Sequence, residues 1–158
     1  MEEVHWFEKE VWIDLVYREQ RFTYLMLACG AENYPSALRL LLEGADVNAR
    51  SKFGETALLQ AARYAYKDRE AAPKIVLLLL ESGADINAQT TPDGETALMR
   101  ATYYGYREIV RILLDNKVHV NLRRTNGNTV LSSIEATPSA ARKRKRIIKM
   151  LEEAGGIR

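Results

Sequence analysis

Apolar positions along this chain of 158 residues are grouped in short blocks that recur at a regular interval. Each block is rich in Ala and Leu and follows a polar stretch with a Gly: FGETALLQAARYAY at 53–66, DGETALMRATYYGY at 93–106 and NGNTVLSSIEATPS at 126–139. Gly94 and Gly127 are 33 residues apart, and Gly54 and Gly94 are 40 apart. Such a period is typical of repeat proteins, in which each unit buries its apolar face against its neighbours.

A second apolar block follows the first in each unit: LLLEGADVNA at 40–49, LLLESGADINA at 78–88 and ILLDNKVHVNL at 112–122. The two blocks predict two helices per unit. We expect the Thr after the first turn to cap the first helix with its hydroxyl. Gly44 and Gly83 are expected to end the second helix in the left-handed conformation, and Lys117 replaces this Gly in the third unit.

This arrangement resembles the ankyrin-repeat family over roughly residues 20–156. The resemblance rests on GETALLQAA, GETALMRAT and GNTVL in the place of the family's G-x-TPLH-x-AA motif, and on GADVNA and GADINA at the unit ends. Ala57, Ala97 and Val130 replace the usual Pro, and Leu59, Met99 and Ser132 replace the usual His. The resemblance implies an all-α ankyrin-repeat solenoid of about four helix–turn–helix units with an N-terminal capping helix.

The expected units differ in length and in their ends. We assign a capping helix to residues 1–19 and ankyrin-like repeats to 20–50, 51–88, 89–121 and 122–158, of which the last caps the C-terminal end. The second repeat has an insertion around 67–72. Apolar residues at positions 4, 7, 11 and 15 form one helical stripe, which predicts the capping helix. Terminal units of a solenoid differ from inner ones because their outer faces meet water.

Composition and charge narrow the class of protein. Hydrophobic residues make up 47% of the chain, and the net charge of +2 indicates no general attraction to nucleic acid or membranes. Cys29 is the single cysteine, so no internal disulfide forms. The chain starts with acidic residues, and its longest apolar run, IVLLLL, is too short to cross a bilayer. We expect a cytoplasmic protein that is monomeric alone; the sequence also leaves nuclear import or delivery into a host cell open.

No pattern of side chains predicts an enzyme. Gly94 has no further Gly or Lys at the spacing of a phosphate-binding loop. Thr56, Thr96 and Thr129 recur at one place in each unit, which favours a structural hydroxyl over a nucleophile. Cys29 aligns with small packed positions and is expected to be a buried, inert thiol. We therefore expect no catalytic residue, no cofactor and no metal site.

The family resemblance implies that another protein binds to the turn tips and to the exposed concave face of the first helices. Transferred position by position, the predicted tip residues are Lys52, Phe53, Glu55, Pro92, Asp93, Glu95, Thr125, Asn126 and Asn128. The predicted helix positions are Arg63, Tyr64, Tyr103, Tyr104, Ala136 and Thr137. Tyr and Arg are enriched at interfaces. Alternatively, the rings pack between neighbouring units, and the sequence leaves this choice open.

The basic run Arg142–Arg146 allows three interpretations: a solvated helix face, a patch for an acidic partner or nucleic-acid phosphate, and a nuclear import signal. Residues 137–158 include no aromatic side chain on which single-stranded bases could stack. The leading hypothesis is a non-enzymatic protein-binding module, acting as an inhibitor, immunity protein or adaptor. The alternative is a nuclear or nucleic-acid-associated adaptor that uses the basic C-terminal helix. The identity of the partner does not follow from the sequence.

Overall fold

The structure, a computed structural model, describes residues 20–65, 70–135 and 144–157. Within these ranges the chain forms eight helices and no strand. The helices are α1 (Tyr24–Gly30), α2 (Tyr34–Leu42), α3 (Ala57–Arg63), α4 (Ala71–Glu81), α5 (Ala97–Tyr104), α6 (Arg107–Asp115), α7 (Val130–Glu135) and α8 (Lys145–Glu153). The predicted capping helix at 1–19 lies outside the described residues, as do Ala136, Thr137, Arg142, Lys143 and part of the insertion in the second repeat.

The helices are arranged in two stacked rows. The inner helices α1, α3, α5 and α7 pack against one another in chain order, and the outer helices α2, α4, α6 and α8 do the same. The inner helices α1, α3 and α5 also contact the outer helix that follows each of them. This stacking of helix pairs is an all-α solenoid, which confirms the predicted fold class.

The core runs along the solenoid between the two rows. Inner helices place small side chains there, and Ala61, Ala62 and Ala101 are fully buried. Outer helices contribute larger apolar side chains, such as Leu79 and Leu113, which are also fully buried. Burial of a Leu side chain stabilises the fold by roughly 1.5–3 kcal/mol. The alanines of the inner helices let adjacent units approach closely, and the larger apolar side chains that both rows bury fill the space between them.

Threonine hydroxyls cap the inner helices, as predicted from the repeat. Thr23, Thr56, Thr96 and Thr129 each accept a hydrogen bond from the backbone N–H three residues ahead, at 3.2 to 3.3 Å. The first N–H groups of a helix have no partner within the helix, so each cap satisfies one of them. Such a cap contributes about 1 kcal/mol to stability.

The outer helices end in the left-handed conformation. Gly44 and Gly83 have φ angles of 89° and 85°, which confirms their predicted role at the ends of α2 and α4. Lys117, after α6, adopts the same region with a φ of 58°. A side chain with a Cβ is strained in this region, so the third unit keeps the helix end of its neighbours at an energetic cost.

An asparagine at the end of each repeated block joins one unit to the next. Asn48 accepts a hydrogen bond from the N–H of Asp85 at 2.7 Å and donates one to the carbonyl of Gly83 at 2.9 Å. The equivalent Asn87 and Asn121 also bond the backbone of the unit that follows. These bonds fix the spacing of the outer row, and the sequence alone did not indicate them.

Candidate partner-binding surface

The turns before the inner helices are hydrogen-bonded to one another along one edge of the solenoid. The N–H of Lys52 donates to the carbonyl of Gln20, that of Thr91 to Phe53, and that of Thr125 to Asp93, over 2.8 to 3.1 Å. This ladder holds the turn tips in a row beside the inner helices. Most of the predicted tip side chains are exposed, and Asn128 is half-buried: the exposed ones are Lys52, Phe53, Pro92, Asp93, Thr125 and Asn126.

Glu55 and Glu95 were predicted to be exposed at the turn tips, but the structure turns both of them inward. Glu55 is only 7% exposed, and Glu95 is half-buried. Each follows the left-handed Gly of its turn and faces Arg100 on α5, which supplies the opposite charge. The prediction considered only the position of each residue in its turn. The positive charge of Arg100 on α5 draws both carboxylates inward. Glu55 therefore stabilises the turn from below through its pairing with Arg100, and it presents little area for contact with a partner.

Arg100 is the centre of a charge network beneath the turns. Its guanidinium donates to both carboxylate oxygens of Glu55, at 2.6 and 2.8 Å, and to Glu95 at 2.8 Å. It also donates to the carbonyl of Leu59 at 3.0 Å. Arg124 of the next unit lies 3.5 Å from Glu95. The network thus joins three consecutive units and neutralises its own charges.

Burial and pairing act on Arg100 in opposite directions. Desolvation of the buried guanidinium lowers its pKa, while the hydrogen bonds and charge of Glu55, followed by those of Glu95, raise it, and the pairing prevails. Arg100 is 3% exposed, so it remains a cation inside the protein. The sequence did hold a signal for this network, because a charged residue interrupts the apolar α5 five positions after Glu95.

Three tyrosines form a cluster at the end of α5. The rings of Tyr103 and Tyr104 meet edge to face with their centres 5.2 Å apart, and those of Tyr104 and Tyr106 stack at 5.6 Å. Tyr103 is 60% exposed and Tyr104 44% exposed. Of the two alternatives for these rings, the structure therefore shows exposure for Tyr103 and Tyr104. Contacts between the rings hold them in fixed orientations at the surface.

Arg63 and Tyr64 occupy the equivalent place at the end of α3. Arg63 is exposed, and its guanidinium carbon lies 5.2 Å from the centre of the Tyr64 ring. Tyr64 is half-buried, and its ring atoms lie next to Gly30 of the preceding unit. One side of the Tyr64 ring therefore packs between units, whereas the charge of Arg63 is exposed at the surface.

A concave groove of about 620 Å³ brings most of these side chains together. Phe53, which is 46% exposed, lies on the side of the turns, and Arg63, Tyr103 and Tyr104 lie on the side of the helices. Glu55, Pro92, Asp93 and Glu95 also line it; Lys52, Tyr64, Thr125, Asn126 and Asn128 do not. The structure adds residues that the sequence did not single out: Gln20, Phe22, Thr90, Thr91, Arg100 and Arg124.

Other features of the described residues bear on chemistry. No group of three or more His, Cys, Asp or Glu side chains among them is placed to hold a metal ion. Burial raises the pKa of the Cys29 thiol to about 12, so the thiolate needed for nucleophilic attack is scarce near neutral pH. Within the same part of the chain, no helix is long and apolar enough to span a bilayer.

The stacked helix pairs, linked turns and concave groove define a helical-repeat solenoid. The family model for ankyrin repeats, described as three copies of the repeat, matches residues 25–124 and 64–155. The chain belongs to the ankyrin-repeat family, whose members are in general non-enzymatic modules for protein–protein interaction.

Several proteins similar to this chain combine such repeats with other domains. Ankyrin repeat and KH domain-containing protein 1 of Homo sapiens is 38% identical over 110 residues, which cover 69% of this chain and 4% of that protein. Ankyrin repeat and SAM domain-containing protein 6 of Rattus norvegicus is 47% identical over 60 residues, 38% of this chain and 7% of that protein. The chain thus spans only a small part of the length of either relative.

Proposed function

We propose that this chain binds a partner protein in the concave groove and acts in the cytoplasm as an inhibitor, immunity protein or adaptor. The observation that supports this most strongly is the exposure of Phe53, Tyr103 and Tyr104 on one concave surface. Large aromatic side chains near the centre of an interface supply much of its binding energy. In this chain they lie where a partner segment can bury all three at once.

The rings are well held before any partner arrives. Arg100 joins the turns to the inner helices beneath the groove, and the turn-to-turn hydrogen bonds hold Phe53 at its edge. Tyr104 is fixed between Tyr103 and Tyr106. Association is weakened by the free energy needed to order side chains and loops. A surface that is already ordered avoids much of that loss, so rigid presentation is the proposed mechanism.

Seven of the other predicted residues divide into two groups under this proposal. Lys52, Pro92, Asp93, Thr125 and Asn126 lie on the exposed turns and form the polar rim, where contacts add specificity more than affinity. Glu55 and Glu95 belong to the network with Arg100 and position the groove. We expect substitutions in the rim to have small effects on affinity, and those at the aromatic residues to have large ones.

The double variant Phe53→Ala/Tyr103→Ala tests the proposal. Loss of two interface anchors is expected to weaken binding by about a thousandfold, since each anchor is worth about 2 kcal/mol and every 1.4 kcal/mol corresponds to about tenfold in affinity. Both side chains are about half exposed, so the melting temperature should change little. The partner is first isolated from source cells with the tagged wild-type chain and identified. Its affinity for purified wild-type and variant chains is then measured by isothermal titration calorimetry.

A matched control removes two exposed apolar side chains from the outer row. Leu42 on α2 and Leu77 on α4 are exposed and lie outside the groove. Leu42→Ala/Leu77→Ala should bind the partner as the wild type does. Unchanged affinity of the groove variant, combined with a large drop in its melting temperature, would show that the rings are part of the core and would refute the proposal.

A further inference from the structure

A second hollow adjoins the concave groove on the far side of the tyrosine cluster. It has a volume of about 630 Å³, and Tyr104 lines both cavities. Its walls include Tyr106, Ile109 and Ile147, and three basic side chains come together in it from two different units. We call this cavity the arginine hollow after those side chains, Arg107 at the start of α6, and Arg144 and Arg146 at the start of α8.

The positive charge of the arginine hollow is not neutralised within the described part of the chain. No carboxylate there forms an ion pair with Arg107, Arg144 or Arg146. Among the described residues that line the hollow, the acidic one is Glu108, which is paired with Arg111. The Nε of Arg144 is shielded from solvent and has no hydrogen-bond partner in this part of the chain. Among the described residues that line it, the hollow therefore has an excess of positive charge.

The concave groove differs from the hollow in its electrostatics. In the groove, Arg100 and Arg124 are matched by Glu55 and Glu95, so this network has no net charge. The described residues of the hollow provide no such compensation, although the two cavities meet at the tyrosine cluster. Arg144 lies next to this junction, with its guanidinium carbon 5.7 Å from the centre of the Tyr103 ring. A segment that crosses the junction thus meets aromatic surface and unpaired guanidinium groups together.

We propose that the partner segment in the groove is acidic and extends past Tyr104, presenting Asp or Glu carboxylates to the arginine hollow. This inference rests on the proposed function and specifies the chemistry of the partner. The planar guanidinium group suits it, because its paired N–H donors match the two oxygens of a carboxylate. An apolar or aromatic side chain of the same segment then covers Tyr103 and Tyr104.

The distribution of charge favours a protein segment over a nucleic acid. Duplex DNA has one negative charge per about 1.7 Å of its axis and needs a long positive track. Here the acidic residues Asp93 and Glu95 lie in the groove on one side of the junction, and Glu108 lies at the hollow itself. Over the residues that the structure describes, the positive surface is therefore short, which suits a few carboxylates better than a regular row of phosphates.

Selection from a random peptide library displayed on phage tests the inference without knowledge of the natural partner. The wild-type chain is immobilised, and enriched peptides are synthesised with a fluorescent label. Peptides rich in Asp and Glu beside an aromatic residue are the expected outcome. Their affinity, measured by fluorescence anisotropy, should fall about tenfold or more in Arg107→Gln/Arg146→Gln, because charge-assisted hydrogen bonds are lost. Added salt should weaken binding to the wild type.

The control variant removes the same number of positive charges elsewhere. Arg39 and Lys149 lie on the outer helices α2 and α8, outside the hollow, in exposed pairs with Glu43 and Glu153. Arg39→Gln/Lys149→Gln should retain peptide binding. Since Arg107 and Arg146 are themselves exposed, both double variants should fold, which thermal melting followed by circular dichroism verifies.

Each other outcome overturns the inference and also bears on the function. Enriched peptides without acidic residues that lose binding in Phe53→Ala/Tyr103→Ala would contradict the acidic partner and leave the groove proposal intact. Peptides affected by neither variant, or no enrichment at all, would count against both. A single-stranded oligonucleotide with the same net charge as the acidic peptides could bind more tightly than they do and lose its affinity in Arg107→Gln/Arg146→Gln. That result would assign the hollow to nucleic acid instead.

Discussion

At the scale of single residues, Arg100 has the largest structural role that the repeat pattern did not indicate. Burial of a guanidinium costs several kcal/mol unless ion pairs and hydrogen bonds compensate. Here Glu55, Glu95 and the carbonyl of Leu59 supply that compensation. The pairing of Arg100 therefore contributes more to stability than an exposed pair such as Arg39–Glu43, whose partners are well solvated with or without each other.

Replacement of Arg100 by Met is expected to lower the free energy of unfolding by about 3–5 kcal/mol, because it leaves the buried Glu55 without a counter-charge. Urea denaturation followed by circular dichroism measures the change. Arg39→Met, which breaks an exposed pair, should have no measurable effect. The double variant Glu55→Gln/Arg100→Met should lose less free energy of unfolding than the two single variants lose when their losses are added. Strict additivity would mean that the two side chains are not energetically coupled.

At the scale of secondary structure, the ends of the outer helices are determined by a single backbone position. Gly44 and Gly83 occupy the left-handed region without a Cβ, whereas Lys117 occupies it with one. The third unit therefore has a weaker helix end than the first two. The geometry survives because the Lys117 N–H still bonds the carbonyl of Leu114 at 3.0 Å and stacking with neighbouring units holds α6 in place.

The variant Lys117→Gly should raise the free energy of unfolding by about 1 kcal/mol, since it relieves the strain of a Cβ in the left-handed region. The reciprocal variant Gly83→Lys should lower it by a similar amount; space does not limit it, because no atom lies within 4 Å of an added Cβ there. Urea titration of both variants checks the pair. A loss of stability in Lys117→Gly would show that the Lys side chain itself stabilises the helix end.

At the scale of the whole molecule, the close approach of neighbouring units limits what each turn can accept. A Cβ on Gly94 would lie 3.2 Å from the backbone of Arg124 and Thr125 in the next unit. Gly127, in the last unit, has a similar φ but no atom within 4 Å of an added Cβ. The two glycines face the same conformational demand, and only Gly94 is also confined by a neighbour.

Gly94→Ala should therefore destabilise the protein by about 2–4 kcal/mol, and Gly127→Ala by only about 1 kcal/mol. The difference measures the contact between units, since the strain of the left-handed conformation is common to both. Movement of the third turn should also disturb the hydrogen bond from Thr125 to Asp93 beneath the exposed tips. Chemical denaturation of the two variants gives the comparison; equal losses would mean that the turns are not in tight contact.

Much of the fold was predictable from short-range patterns. The apolar period predicted the solenoid, the Thr before each inner helix predicted its N-cap, and Gly44 and Gly83 predicted the ends of two outer helices; the structure confirms all three. These features depend on a few adjacent residues, because capping and left-handed turns are local properties of the backbone. The sequence also placed Phe53, Tyr103 and Tyr104 on the inner side of the repeat, where they line the groove.

The tertiary structure alone decided which of those side chains are exposed and which charges are paired. Glu55 was predicted to be at the surface, yet its partner Arg100 lies 45 residues further along the chain and draws it inward. The arginine hollow likewise joins Arg107 to Arg144, which belong to different units. The sequence determined the repeating unit because its rules act over a few residues. Only the tertiary structure determined the composition of the binding surface, because the exposure and the electrostatic partner of a side chain depend on the unit stacked beside its own.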